Sequence, residues 1–137
     1  MSKHDIVSEW LEIAYEDYDV ARYLYDSKEP KPLEIICFHC QQSAEKSLKA
    51  YICANGIEVS KTHEVGFLCL QCSKLDESFL DFHKDCEDLE SYATQARYPS
   101  RIEIERDNAE KALQQTLKIY EFVLVKINQL LANEKKN

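Results

Sequence analysis

Phe38-His39-Cys40-Gln41-Gln42-Ser43-Ala44-Glu45-Lys46-Ser47-Leu48-Lys49-Ala50 is the stretch from which the rest of the chain can be read. Its apolar positions belong to a stripe of Ile36, Cys40, Ala44, Leu48 and Tyr51, with Cys37 and Ile52 beside it. Recurrence at three and four residues is the signature of a helix with one buried face. Gln42, Glu45, Lys46 and Lys49 are neighbours at the same steps. One reading makes them a solvated polar face, with Glu45–Lys49 an ordinary ion pair worth roughly a few tenths of a kcal/mol. The other makes them a patch that turns two ammonium groups toward a phosphate. The spacing predicts a helix from about Leu33 to Ala54. Pro30 and Pro32 precede it and bias the residues before them away from helix. Asn55-Gly56 closes it, since glycine readily takes the left-handed conformation of a helix C-terminus.

Working outward, a first helix is predicted from about Asp5 to Asp26, with Ile6, Trp10, Ile13, Ala14, Asp17, Ala21 and Leu24 on its apolar face. Asp17 within that face needs a cationic partner if buried, because an uncompensated carboxylate is costly there. A Lys or Arg from another helix is expected, with Arg97 one candidate. On the C-terminal side, Thr62 can cap a short helix from about His63 to Ser73. Asp76 or Ser78 can cap another, carrying Phe79, Phe82, Cys86, Leu89 and Ala93. Ala96-Arg97-Tyr98-Pro99-Ser100 breaks it. The last helix is expected from about Ile102 to Ala132, about 45 Å long at 1.5 Å per residue. Its wide apolar face is a candidate dimer interface. Short connections between long amphipathic helices favour antiparallel neighbours. The expected fold is therefore all-α: a single domain over residues 1–137, an up-and-down bundle of four long helices plus one short helix.

Composition bounds the function. With 2 Gly and 3 Pro in 137 residues, an all-β domain lacks its turn residues and no Gly-rich phosphate loop is possible. A net charge of -8, from 25 acidic against 17 basic residues, disfavours general nucleic-acid binding, DNA included. No apolar run approaches the roughly 18 residues of a membrane helix. The first residues lack the pattern of a signal peptide. A cytoplasmic protein that does not enter membranes is expected. A chain of this length can bury roughly 70% of its unfolded surface, so it needs neither disulfides nor a metal to fold.

Six cysteines stand at 37, 40, 53, 69, 72 and 86. Cys37/Cys40 and Cys69/Cys72 form two Cys-x-x-Cys pairs, and four thiolates suit tetrahedral zinc. Both pairs fall inside helical patterns near apolar stripes, however, where a thiol packs as a small hydrophobe. Reduced, buried thiols are the expectation, with no metal and no cofactor. Lys61, Thr62 and His63 stand where a loop meets a helix N-terminus, a place that attracts anions. Arg97 and Arg101 flank the later break, each with a salt bridge as the plain alternative to phosphate contact. Tyr98 can stack a base or fill the bundle end.

Gln41-Gln42, Glu45-Lys46 and Leu48-Lys49-Ala50 resemble the "QQ-x-x-EK-x-LKA" signature of the HEPN family (higher eukaryotes and prokaryotes nucleotide-binding). Trp10 with Ala14, Lys61-Thr62-His63, and Ala96-Arg97-Tyr98-Pro99 resemble that family's other features in the same order. The resemblance implies an up-and-down helical bundle, often a homodimer. It also implies a setting beside a separately encoded minimal nucleotidyltransferase, in toxin–antitoxin or defence systems. Catalytic members carry an Arg, four to six residues, then a His near the start of the last helix. The Arg would hold the scissile phosphate and the His would move a proton. Here no His follows Arg97, Arg101 or Arg106. The expectation is a non-catalytic member that binds a nucleotide, a phosphate group or RNA. Its candidate contacts are Gln42, Lys46, Lys49, Lys61, His63, Arg97, Tyr98 and Arg101, and no catalytic residue is assigned. A ribonuclease toxin with a displaced His, His63 or His83, is the first alternative. A helical interaction module without a small ligand is the second.

Overall fold

The computed structural model describes residues 1–95 and 103–136, with the side chains of residues 94, 95 and 136 left out. Its elements are α1 (Lys3–Ser27), α2 (Leu33–Ala54), α3 (Val65–Leu75), a 3-10 segment (Glu77–Phe82), α4 (His83–Glu90), α5 (Tyr92–Gln95) and α6 (Arg106–Lys136). There is no strand among the described residues, and the all-α bundle is as expected. No helix among them is long and apolar enough to cross a membrane.

Local chemistry sets the ends. Ser2 Oγ accepts the Asp5 N–H at 3.2 Å, and the Asp5 carboxylate accepts the Ser2 N–H at 3.0 Å. This reciprocal cap starts α1 two residues before the predicted Asp5. At the start of the last helix, Asn108 Oδ1 reaches back to the Glu105 N–H at 2.9 Å. That bond starts α6 at Arg106; the predicted start, Ile102, lies outside the described residues. The predicted fourth long helix is corrected to three pieces. Asp76 accepts the Ser78 N–H at 3.0 Å, which opens the chain in tight 3-10 turns rather than α turns. The interruption at Ser91, whose hydroxyl donates to the Asp88 carbonyl, then divides α4 from α5.

α2 is the central element, packed against α1, α3, α4, α5 and α6. Fourteen of its 22 residues are buried, so it has no solvated side over most of its length. α1 lies along it, and the Ala14 carbonyl accepts a hydrogen bond from Ser43 Oγ at 2.7 Å. The buried rib of α1 is Val7, Ala14 and Ala21. Ile6 and Ile13, expected inside, are instead exposed. The cause is steric: alanines at 14 and 21 let two backbones approach, which isoleucines would prevent. The wide face of α6 is mostly covered too: Val123 and Ile127 are buried, and Val125 is exposed.

Candidate polar site on the second helix

Two polar rows of α2 point into the molecule. The first is Gln41, Glu45 and Lys49, one turn apart. Glu45 is the hub, its side chain only 4% exposed. Its Oε2 accepts from Lys49 Nζ at 3.0 Å, and its Oε1 accepts from Gln41 Nε2 at 3.2 Å. His63 Nδ1 lies 3.0 Å from the same Oε1. Gln41 Nε2 also donates to the His63 carbonyl at 3.1 Å, and Gln42 donates to Gln41 Oε1 at 2.7 Å. Lys49 is 6% exposed and sits 5.8 Å from the centre of the Trp10 ring, within cation–π range. Each charge of this buried pair is therefore compensated, the condition under which such a pair is tolerated. It also ties the 55–64 connection to α2 through His63.

The second row, His39 and Lys46, faces Asp17 of α1. Lys46 Nζ donates to Asp17 Oδ2 at 2.7 Å, and His39 Nδ1 lies 3.0 Å from Oδ1. Burial alone would push the Asp17 carboxyl up. The hydrogen bonds and charges of His39 and Lys46 outweigh it and hold the carboxyl below its ordinary value. The cationic partner expected for Asp17 is thus Lys46, with His39 as a second.

The sequence candidates divide accordingly. Lys46 and Lys49 are each paired with a carboxylate inside the molecule, which corrects the picture of a solvated polar face. Gln42 is half-buried beside Gln41. Lys61 is exposed, and the His63 side chain is 70% exposed despite its bond to Glu45. Thr62 is not the helix cap: its hydroxyl accepts the Glu64 N–H at 3.1 Å, and α3 starts at Val65 without a side-chain cap. His63 therefore sits one residue outside the cap. Arg97, Tyr98 and Arg101 lie outside the described residues. His83, the other displaced-His candidate, is 3.5 Å from Glu87 in α4. Gln41 and Trp10 are site residues that spacing did not single out. The signals for Gln41 were its place one turn before Glu45 and its place in the Gln41-Gln42 run of the family signature.

The cysteines are free thiols, five of them buried. Burial pushes Cys37 up to about 12, with a smaller opposing effect from Tyr92, and drives Cys40 and Cys72 up as well. Cys69 donates to the Phe79 carbonyl at 3.3 Å and Cys72 to the Leu48 carbonyl at 3.6 Å. Among the described residues no group of three or more His, Cys, Asp or Glu could hold a metal ion.

Two comparisons with known proteins give matches. The HEPN domain family model matches residues 7–128. The crystal structure of an archaeal HEPN homologue superimposes with a TM-score of 0.69 at 26% identity, covering 88% of this chain and 97% of that one. A protein from Thermus thermophilus gives 0.73 at 28% identity, with the same coverage. No curated protein matches.

Proposed function

The chain belongs to the HEPN domain family, and from that premise we propose that it is a non-catalytic member: a cytoplasmic homodimer that binds a nucleotide or phosphate group and works with a separately encoded minimal nucleotidyltransferase. A toxin–antitoxin or defence module is the setting this implies. One observation carries the non-catalytic half. The four histidines are His4, His39, His63 and His83, and all precede Arg97, so the Arg-x4-6-His pattern of catalytic members has no counterpart. Ligand contact then falls first to the exposed Lys61 and His63, and Gln42, Arg97, Tyr98 and Arg101 are the further candidates from the sequence. Lys46 and Lys49 support this surface through their carboxylate pairs and do not meet the ligand first.

The test has two parts. Purified protein is incubated with RNA at neutral pH, and separately titrated with ATP and GTP by calorimetry. Intact RNA and measurable heat are expected. No heat with either nucleotide removes the ligand and leaves a helical interaction module. Affinity purification from the native cells is expected to recover a small nucleotidyltransferase; a clean homodimer alone removes the two-component half.

A second reading, a ribonuclease with a displaced histidine, is favoured by one contact. His63 is exposed while its Nδ1 rests on the buried Glu45 carboxylate, an arrangement suited to a group that moves a proton. RNA cleavage lost in His63→Ala would select this reading over the first.

A further inference from the structure

We propose that the outward face of α1 is the docking surface for a basic amphipathic segment of a partner protein. Ile6, Ile13 and Val20 are 37%, 42% and 42% exposed, and they recur every seven residues as one apolar rib. Single exposed apolar residues need no explanation, but apolar residues aligned on one helix face offer a partner a surface to pack on. A rib with this period is what an amphipathic partner segment packs against. One hollow opens on the rib itself, and a second lies farther round the helix. One, of about 200 Å³, is lined by Ile6, Glu9, Trp10 and Ile13. The other is a cleft of about 580 Å³ where Tyr15 of α1 meets Tyr120 of α6, with Leu11, Glu12 and Glu16 around it. The two tyrosine rings are 5.4 Å apart.

Charge decides the occupant. Glu9 and Glu16 border the rib, Glu12 and Asp19 stand beyond them, all four are exposed, and none has an ion pair among the described residues. Over its whole length α1 carries seven acidic residues against two basic ones. A second copy of this helix laid on the face would set carboxylates against carboxylates, which is strongly unfavourable at an interface. RNA or DNA would be repelled for the same reason. A segment rich in Lys and Arg fits instead. Its aliphatic stems would cover Ile6, Ile13 and Val20 while its charged heads reach the carboxylates. The proposal rests on the two-component reading only for the existence of a second protein; the surface and the partner's chemistry are new.

The test is site-specific photocrosslinking in the native cells, with the full chain carrying p-benzoylphenylalanine in place of Ile13 or, separately, of Phe67 on α3, which is also exposed. The expected result is a crosslink from position 13 to a net-basic peptide of another protein. Its yield should fall roughly tenfold when Glu9, Glu12 and Glu16 are all changed to Gln, since three solvent-edge ion pairs are lost. A partner crosslinked from position 67 and not from 13 overturns the docking surface and leaves the two-component reading standing. A crosslink from 13 to a second copy of the chain, or to an acidic or neutral peptide, overturns the proposal. So does a yield unchanged in the triple variant. No second protein from either position removes the two-component reading and the proposal with it.

Discussion

α1 and α2 are of similar length and both carry carboxylates at helical spacing, yet they treat them in opposite ways. On α2, Glu45 meets Lys49, Gln41 and His63, and Lys46 neutralises Asp17 from across the seam. On the outer face of α1, Glu9, Glu12, Glu16 and Asp19 have no ion pair among the described residues. The net charge of -8 therefore does not describe a uniform surface. The inward charges nearly cancel, and a large part of the excess stands on one helix. In the first place a carboxylate is a structural part whose partners are inside the chain. In the second it is a charge that another molecule could meet. Burial, not spacing, separates the two.

Breaking the inward set should have the largest effect. Glu45→Ala leaves Lys49 buried without its anion and takes one acceptor each from Gln41 and His63, which keep the His63 carbonyl and solvent respectively. Removing one partner of a buried pair costs about 3–5 kcal/mol. Chemical denaturation should show the loss directly as a lower midpoint, and thermal unfolding should shift down by several degrees per kcal/mol. A loss below about 1 kcal/mol would show that Lys49 escapes to water and that the pair is not the anchor its burial implies.

Asp17 comes next, and it sharpens the comparison through pH. Its folded carboxyl is held below the ordinary value, so its contribution is complete at neutral pH, above the unfolded value of about 3.9. That contribution is lost as pH falls from there through the lowered folded value, where protonation removes the charge that His39 and Lys46 hold. Asp17→Asn should cost about 1–2 kcal/mol at pH 7, because Lys46 is partly exposed and can turn to water. Denaturant midpoints measured from pH 7 into the acid range should draw together for the wild type and this variant as pH falls below the unfolded value of about 3.9. Parallel curves would show that Asp17 is not ionised in its pair.

His63→Ala is smaller again. The side chain is mostly in solvent, and Glu45 keeps Lys49 and Gln41, so only one hydrogen bond of about 1 kcal/mol is lost. The amides of residues 55–64, which His63 ties to α2, should exchange faster with solvent while those of α2 do not change. Equal acceleration in both would mean that the histidine supports the core.

The order of these effects marks how far the sequence could be read. The helices of α1 and α2 and the end of α2 at Asn55-Gly56 were legible, because periodicity and turn chemistry are local. The need of Asp17 for a cation was legible too, since a carboxylate within an apolar face must be paired. Which cation was not, because Lys46 is 29 residues away and only packing brings it to 2.7 Å. The direction of the polar rows on α2 was also hidden. A row of Gln, Glu and Lys reads as solvated unless the neighbours that cover it are known, and those come from α1 and the connection before α3. On α1 the adjacent ribs Ile6/Ile13/Val20 and Val7/Ala14/Ala21 share one period. Only the close approach of α2, which alanine permits, selects the second.

The smallest expected effect lies on the outer face and has the opposite sign. Glu12 and Glu16 stand one turn apart with like charge, which costs an isolated helix roughly 0.2–0.5 kcal/mol. Glu16→Gln should therefore leave stability unchanged or raise it by a few tenths of a kcal/mol, where Glu45→Ala removes several. The same repulsion is screened by salt, so raising ionic strength from about 0.01 to 0.15 M should stabilise the wild type slightly more than Glu16→Gln. Denaturant midpoints at the two salt concentrations give the comparison. If Glu16→Gln were as damaging as Glu45→Ala, the carboxylate would be holding the fold together, and the outer face of α1 would lose its standing as a surface free to meet a partner.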